Sequence, residues 1–175
     1  MKRLSVLLFC LLSALGSAQT PQSEDFGRFV PMADSDPFIV VSKASCELVL
    51  LSSGGEVICR CGCACAVNMG PKKVRGDHKT PEGVFKINEL LYAKNIPHDF
   101  HDGKGPIAGA YGPWFLRLDV PGFRDIGIHG THLPQSIGTR ATEGCIRVCN
   151  EDIIRIKSLV KVGTTVIILP EGEKF

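Results

Sequence analysis

The sequence predicts a mainly β domain, a sandwich or closed sheet that carries a single helix. Three observations predict it: short aliphatic runs of strand length, Gly, Ser, Pro and Asn signals between them, and one stretch only with helical periodicity.

In chain order, the first segment is a leader. Lys2 and Arg3 precede an apolar run from Leu4 to Leu15 that closes on Gly16-Ser17-Ala18, the layout of a secretory signal peptide over residues 1–18. A dozen apolar residues fall short of the roughly 20 that span a bilayer, and no later run approaches that length, so the mature chain is expected to lack a transmembrane segment. Residues 19–36 are polar, contain Pro21 and Pro31 and hold no sustained period, which reads as a linker or N-terminal arm. Residues 37–170 form the domain and 171–175 a short tail.

Within the domain, 38–41 and 47–51 are rich in Val, Ile and Leu, and Ser52-Ser53-Gly54-Gly55 supplies a turn before a run that starts at Val57. Further strands are predicted at 83–87, 114–120, 127–129 and 164–169. Residues 88–112, with Asp99, Asp102, Gly103, Gly105 and Pro106, read as a long loop, equally a lid or plain surface. Asn150 is predicted to cap a helix with Glu151 and Asp152 in its first turn and Ile153, Ile156, Leu159 and Val160 along one stripe, ending near Gly163.

Composition narrows the partners. With 44% apolar and 22% charged residues the chain is an ordinary globular protein. Its formal charge of +2 resides in Lys2 and Arg3, so the mature chain is neutral. No basic run exceeds Lys72-Lys73, which argues against nucleic acid as a partner.

Cys59, Cys61, Cys63 and Cys65 alternate with other residues, so a strand would place all four on one face. Spread along about 20 Å of strand, at roughly 3.3 Å per residue, they cannot converge on one zinc ion without a bend. They are read as small buried hydrophobes, and a cross-strand bridge from Cys46 is the preferred oxidised form. Leader removal takes Cys10 and leaves seven cysteines, an odd number, which agrees with at least one free thiol.

Cys145 is the natural free thiol. It follows Gly144 in a small-residue turn, with His129 at the end of a predicted strand and Arg147 two residues on. A nearby imidazole or positive charge lowers a thiol pKa and yields the nucleophilic thiolate, so a Cys145–His129 ion pair is expected. The amides near Gly144 and Cys145 suit an oxyanion. Spacing alone does not separate this from a buried thiol and an unrelated imidazole. A metal site built from His129, His132, Cys145 and Cys149 is disfavoured, because Pro134 and the lack of helical context keep the two histidines from aligning; His132 is read as a rim residue. His78, His98 and His101 are read as solvated loop histidines.

The segments Gly127-Ile128-His129-Gly130-Thr131 and Thr142-Glu143-Gly144-Cys145-Ile146-Arg147 resemble the catalytic signature of the L,D-transpeptidase (YkuD-like) family. Upstream, Val67-Asn68-Met69-Gly70 and Thr80-Pro81-Glu82-Gly83-Val84-Phe85 resemble the family's glycine-ended strand and Thr-Pro-x-Gly-x-Phe element. The resemblance implies a β-sandwich of that type with one short helix after the catalytic cysteine. It implies Cys145 as nucleophile, His129 as general base, the Gly130 carbonyl orienting the imidazole, and Arg147 near the substrate carboxylate. Gly144 and Thr142 belong to the same motif, and Tyr111 is a candidate wall of the groove, with Trp114 read as core. Glu143 departs from the pattern, where many members have His. The implied reaction breaks the bond between the third residue of a peptidoglycan stem and its terminal D-Ala, with no metal or organic cofactor, in the periplasm or cell envelope. An amine acceptor then gives a cross-link; water would make the same residues an L,D-carboxypeptidase. A non-catalytic wall-binding or metal-binding module is the contrasting reading, and the intact His129, Gly144, Cys145 and Arg147 count against it.

Overall fold

The computed structural model describes residues 36–175. The predicted signal peptide and almost all of the predicted linker lie outside the described residues.

Three strands open the domain as an antiparallel meander: β1 (Phe38–Ser42), β2 (Glu47–Leu51) and β3 (Val57–Ala66). The predicted turn joins β2 to β3, with Ser52 N–H donating to the Glu56 carbonyl at 2.8 Å and the Ser52 hydroxyl accepting the Glu56 N–H at 3.1 Å. The next two long strands shape the fold. β4 (Gly83–Tyr92) pairs over its first half with β11 (Thr165–Ile168) and over its second half with β7 (Trp114–Leu118), with a bulge between Ile87 and Glu89. In the same way β3 runs from β2 onto β10 (Ile146–Val148) and β9 (Arg140–Thr142). The pairs β7 with β8 (Gly127–His129), β8 with β10, and β11 with β1 complete a ring of eight strands, with β9 attached at the side. Because a bulge bends and twists its strand, a strand shared by two faces turns the ring into a flattened, sandwich-like barrel.

The interior follows from strand alternation. Ile39, Val41, Leu48, Leu50, Phe85, Ile87, Leu116, Leu118, Ile128, Ile146, Val148, Val166 and Ile168 form one buried cluster. Cys59, Cys63 and Cys65 belong to it, and Cys61 packs against it half-buried, so the alternating cysteines serve as inward-facing apolar residues of β3. All seven described cysteines are free thiols; the expected bridge from Cys46 is not formed, and the Cys63 and Cys65 sulfurs stand 3.8 Å apart.

Helix α1 (Asn150–Leu159) covers one end of the barrel with Ile153 and Ile156, and Val160 completes the contact. Each isoleucine side chain buried this way contributes about 1.5–3 kcal/mol. Three sequence expectations change here, the first because the helix ends at Leu159, short of Gly163. The helix starts one residue earlier than predicted: Cys149 is its N-cap with no side-chain cap bond, and Asn150 is its first helical residue, its side chain drawn elsewhere. Leu159 is 41% exposed and does not extend the apolar stripe.

The predicted loop at 88–112 is also revised. Residues 88–92 belong to β4, because they find a second partner in β7; the excursion that follows carries its own two-residue hairpin, β5 (Pro97–His98) with β6 (Ile107–Ala108). The Thr80-Pro81-Glu82 element ties the strands together. Thr80 Oγ1 accepts the Ala66 N–H at 3.0 Å, and Glu82 accepts from buried Lys43 at 2.5 Å. Lys43 also meets Glu171 of the predicted tail at 3.3 Å, and Glu171 in turn pairs with Arg140.

Candidate active site

One cleft of about 880 Å³ gathers most of the residues singled out in the sequence: His129, Thr142, Gly144, Cys145, Arg147 and Tyr111 all line it. The topology brings them together. β8 and β10 run parallel, with Ile128 opposite Ile146 and His129 opposite Arg147. Extending that register puts Cys145 level with Gly127, so Cys145 and His129 stand diagonally on adjacent strands, about 8 Å apart at Cα by strand spacing and rise.

His129 is 3% exposed and held on three sides. Its Nδ1 donates to the Gly130 carbonyl at 2.6 Å. The Phe115 ring stacks on it at 5.5 Å with 3° between planes, and Tyr111 meets it edge-on at 5.0 Å. Gly130 is fixed in turn, since Asn150 Oδ1 accepts the N–H of Thr131 at 2.8 Å and Asn150 Nδ2 donates to the Thr131 carbonyl at 3.0 Å. This is the role that draws the Asn150 side chain away from helix capping. A Cβ on Gly112 would stand 2.8 Å from Gly130 Cα, so a glycine at the foot of the hairpin excursion lets it pack on the histidine loop.

Thr142 shapes the turn before the thiol. Its hydroxyl donates to the Cys145 carbonyl at 2.6 Å and accepts the Gly144 N–H at 3.3 Å. Gly144 has φ of +150°, and a Cβ there would lie 3.2 Å from the Lys79 carbonyl, so the turn needs glycine. The Cys145 thiol is half-buried and donates to the Asp125 carbonyl at 3.3 Å. Arg147 is 3% exposed, with Nη1 on Ser136 Oγ at 2.9 Å and Nε buried without a partner.

Burial opposes the charged form of each member of the candidate ion pair. Burial pushes the Cys145 thiol up to about 11, against the opposing pull of the Gly127 N–H and the charges of Arg147 and Lys72. Burial pushes His129 down to about 3, although its bond to Gly130 favours the charged form. Both groups are therefore neutral at pH 7. A neutral imidazole with its proton on Nδ1 leaves Nε2 as the basic nitrogen.

Two residues gain roles that the sequence did not show. His98, read as a solvated loop histidine, lines the cleft: the Tyr111 hydroxyl bonds its Nδ1 at 2.8 Å and its Nε2 donates to Glu143 Oε2 at 3.2 Å. The departure at Glu143 thus ties the Gly144–Cys145 turn to the β5–β6 hairpin. Lys72, the other, sits beside Gly144. Neither contact leaves a signal in local sequence, because the partners are 45 residues apart for His98 and Glu143. Trp114 packs on the core cluster with the Lys157 ammonium 4.5 Å over its ring, as read. His132 is exposed and is not among the residues that line the cleft; its Nδ1 donates to the Ala110 carbonyl at 3.3 Å.

Residues 36–168 match the family model described as the L,D-transpeptidase catalytic domain. The Bacillus subtilis protein YqjB, which carries an L,D-transpeptidase name, is 30% identical over 148 residues, covering 80% of this chain and 75% of its own. The catalytic domain of an L,D-transpeptidase from E. faecium superposes with a TM-score of 0.56 at 20% identity, over 78% of this chain and 99% of that one. L,D-transpeptidase 3 from Mycobacterium tuberculosis, solved with a faropenem-derived adduct, gives 0.58 at 15% identity, over 76% of this chain and 60% of that one.

Proposed function

This chain belongs to the L,D-transpeptidase catalytic domain family, and from that premise we propose that Cys145 forms a thioester with a peptidoglycan tetrapeptide stem and passes it to an amine. The Cys145 sulfur leaves the Asp125 carbonyl and turns towards the imidazole. His129 Nε2 takes the thiol proton as sulfur adds to the carbonyl that precedes the terminal D-Ala. The tetrahedral intermediate collapses when the same nitrogen hands that proton to the departing amine, so D-Ala leaves and the stem remains as a thioester. An amine of a second stem then attacks, His129 removes its proton, and the thiol is restored with a three-to-three cross-link formed.

The observation that carries this reading is the 2.6 Å bond from His129 Nδ1 to the Gly130 carbonyl, which leaves Nε2 as the base in the cleft that Cys145 also lines. Thr142 holds the turn so that the Cys145 N–H can serve the oxyanion. Tyr111 and Phe115 wall the imidazole and limit water around it. Such a substrate places the protein in the cell envelope, in keeping with the signal-peptide reading, and no helix among the described residues is long and apolar enough to cross a membrane.

Purified tetrapeptide muropeptides, incubated with the protein and resolved by mass, test the reading. Dimers lighter by one D-Ala support transfer. Tripeptides alone, in the presence of free acceptor stems, contradict it.

A further inference from the structure

Lys72 is a buried cation that the proposed reaction leaves unused. It begins a loop wound around a single carboxylate. Asp77 Oδ1 accepts from Lys72 Nζ at 2.7 Å and from the Lys79 N–H at 3.1 Å, while Oδ2 accepts from the Lys73 and Val74 N–H groups at 2.7 and 3.0 Å. The two side chains of the pair are 5% and 10% exposed. The ammonium is therefore placed by the fold, not by chance on a flexible stem.

Its hydrogen bonding is incomplete. An ammonium has three donors; one goes to Asp77, and the ring of Phe123 lies 5.0 Å from Nζ on another side. The remaining side faces the catalytic turn. Nζ stands 3.8 Å from the position a Cβ on Gly144 would take, a position that glycine leaves open. Lys72 lines the cleft together with Gly144 and Cys145. A desolvated cation with a free donor beside a reaction centre is a site for an anion.

The proposed substrate supplies the anion. When the leaving group is a single C-terminal amino acid, its carboxylate lies one residue beyond the carbonyl under attack. Gly144 is one residue from the nucleophile, and Lys72 stands beside it. Arg147, the cation favoured for this role by resemblance, gives one donor to Ser136 and also lines the cleft, so the test has to separate the two cations.

We propose that Lys72 is the counterion of the donor's terminal carboxylate and so restricts the enzyme to stems with a free C-terminal end. This rests on the acyl-transfer reading of Cys145. Lys72 then acts on specificity, and it is distinguishable from a cation that serves the thiolate or the oxyanion, because those roles do not depend on how the peptide ends.

The test uses two synthetic tetrapeptides that differ only in ending as D-Ala acid or D-Ala amide, with release of the terminal residue followed by mass spectrometry. The wild type is expected to favour the acid roughly 10- to 100-fold in kcat/KM, the range of a charge-assisted bond. Lys72→Gln brings the ratio within about threefold by losing rate on the acid, and Lys72→Arg retains most of the discrimination. Equal wild-type rates on the two peptides overturn the proposal, as does a Lys72→Gln protein that slows both alike. If Lys72→Gln does not fold, the wild-type ratio and Lys72→Arg decide. A wild type that releases the terminal residue from neither peptide overturns the acyl-transfer reading itself, which separates the two failures.

Discussion

His129 Nδ1 and the carbonyl of Gly130 are joined by a 2.6 Å hydrogen bond, and since a carbonyl only accepts, the proton sits on Nδ1. The free base is Nε2. Because burial holds the imidazole down at about 3, it stays neutral until the pH falls close to that value. Activity measured as kcat/KM is therefore expected to persist from pH 7 to pH 5, without the loss near 6.5 of an ordinary histidine. A fall with midpoint between 6 and 7 contradicts this.

The thiol carries the opposite sign. With Cys145 raised to about 11, the thiolate fraction at neutral pH is small and grows about tenfold per pH unit. Alkylation of Cys145 by iodoacetamide, read by intact mass, should accelerate steadily from pH 7 to pH 10. A rate that is flat across that range indicates a standing thiolate–imidazolium pair.

Asn150 joins helix α1 to the histidine loop through two bonds to the Thr131 backbone. Asn150→Ala is expected to cost about 1–3 kcal/mol in urea unfolding, because it strands partly buried backbone groups. It also lowers kcat by roughly tenfold to a hundredfold through displacement of His129. Asn150→Asp keeps the acceptor for the Thr131 N–H but loses the donor, and should fall between the two. A full-rate Asn150→Ala enzyme removes the positioning role.

Lys43 is 1% exposed and bridges Glu82 and Glu171. Lys43→Met leaves Glu82 without its cation and Glu171 with Arg140 alone, with an expected loss of about 3–5 kcal/mol. Burial pushes the Glu171 carboxyl up, but the Gly70 N–H and Lys43 outweigh it, so its folded pKa lies below the ordinary value. Its stabilisation is complete above the unfolded value of about 4.3 and is lost as the pH falls through the folded one. Denaturation curves from pH 6 to pH 3 should show a weaker acid dependence for Lys43→Met than for the wild type.

The mainly β character and seven of the strands were legible because runs such as 38–41 and 47–51 carry enough Val, Ile and Leu to declare themselves. β9 and β10 were not; they are held by pairing with β3, a strand far off in sequence. The family resemblance pointed to Cys145, His129 and Gly130, yet the direction in which burial pushes the thiol and the imidazole is something no motif encodes. Asn150 was noticed for the right reason at the wrong place: its polar side chain near a helix start suggested a cap, while a loop 19 residues upstream competes for it. His98 and Lys72 became functional candidates only through distant partners.

The central claim is that Cys145 is acylated and His129 is its base. A β-lactam of the kind bound by the mycobacterial relative, faropenem, offers a direct probe. Intact-mass spectrometry after incubation should show one covalent adduct on the wild type, much slower adduct formation on His129→Asn, and none on Cys145→Ala. An unmodified wild type, or an equal adduct on Cys145→Ala, would contradict the account.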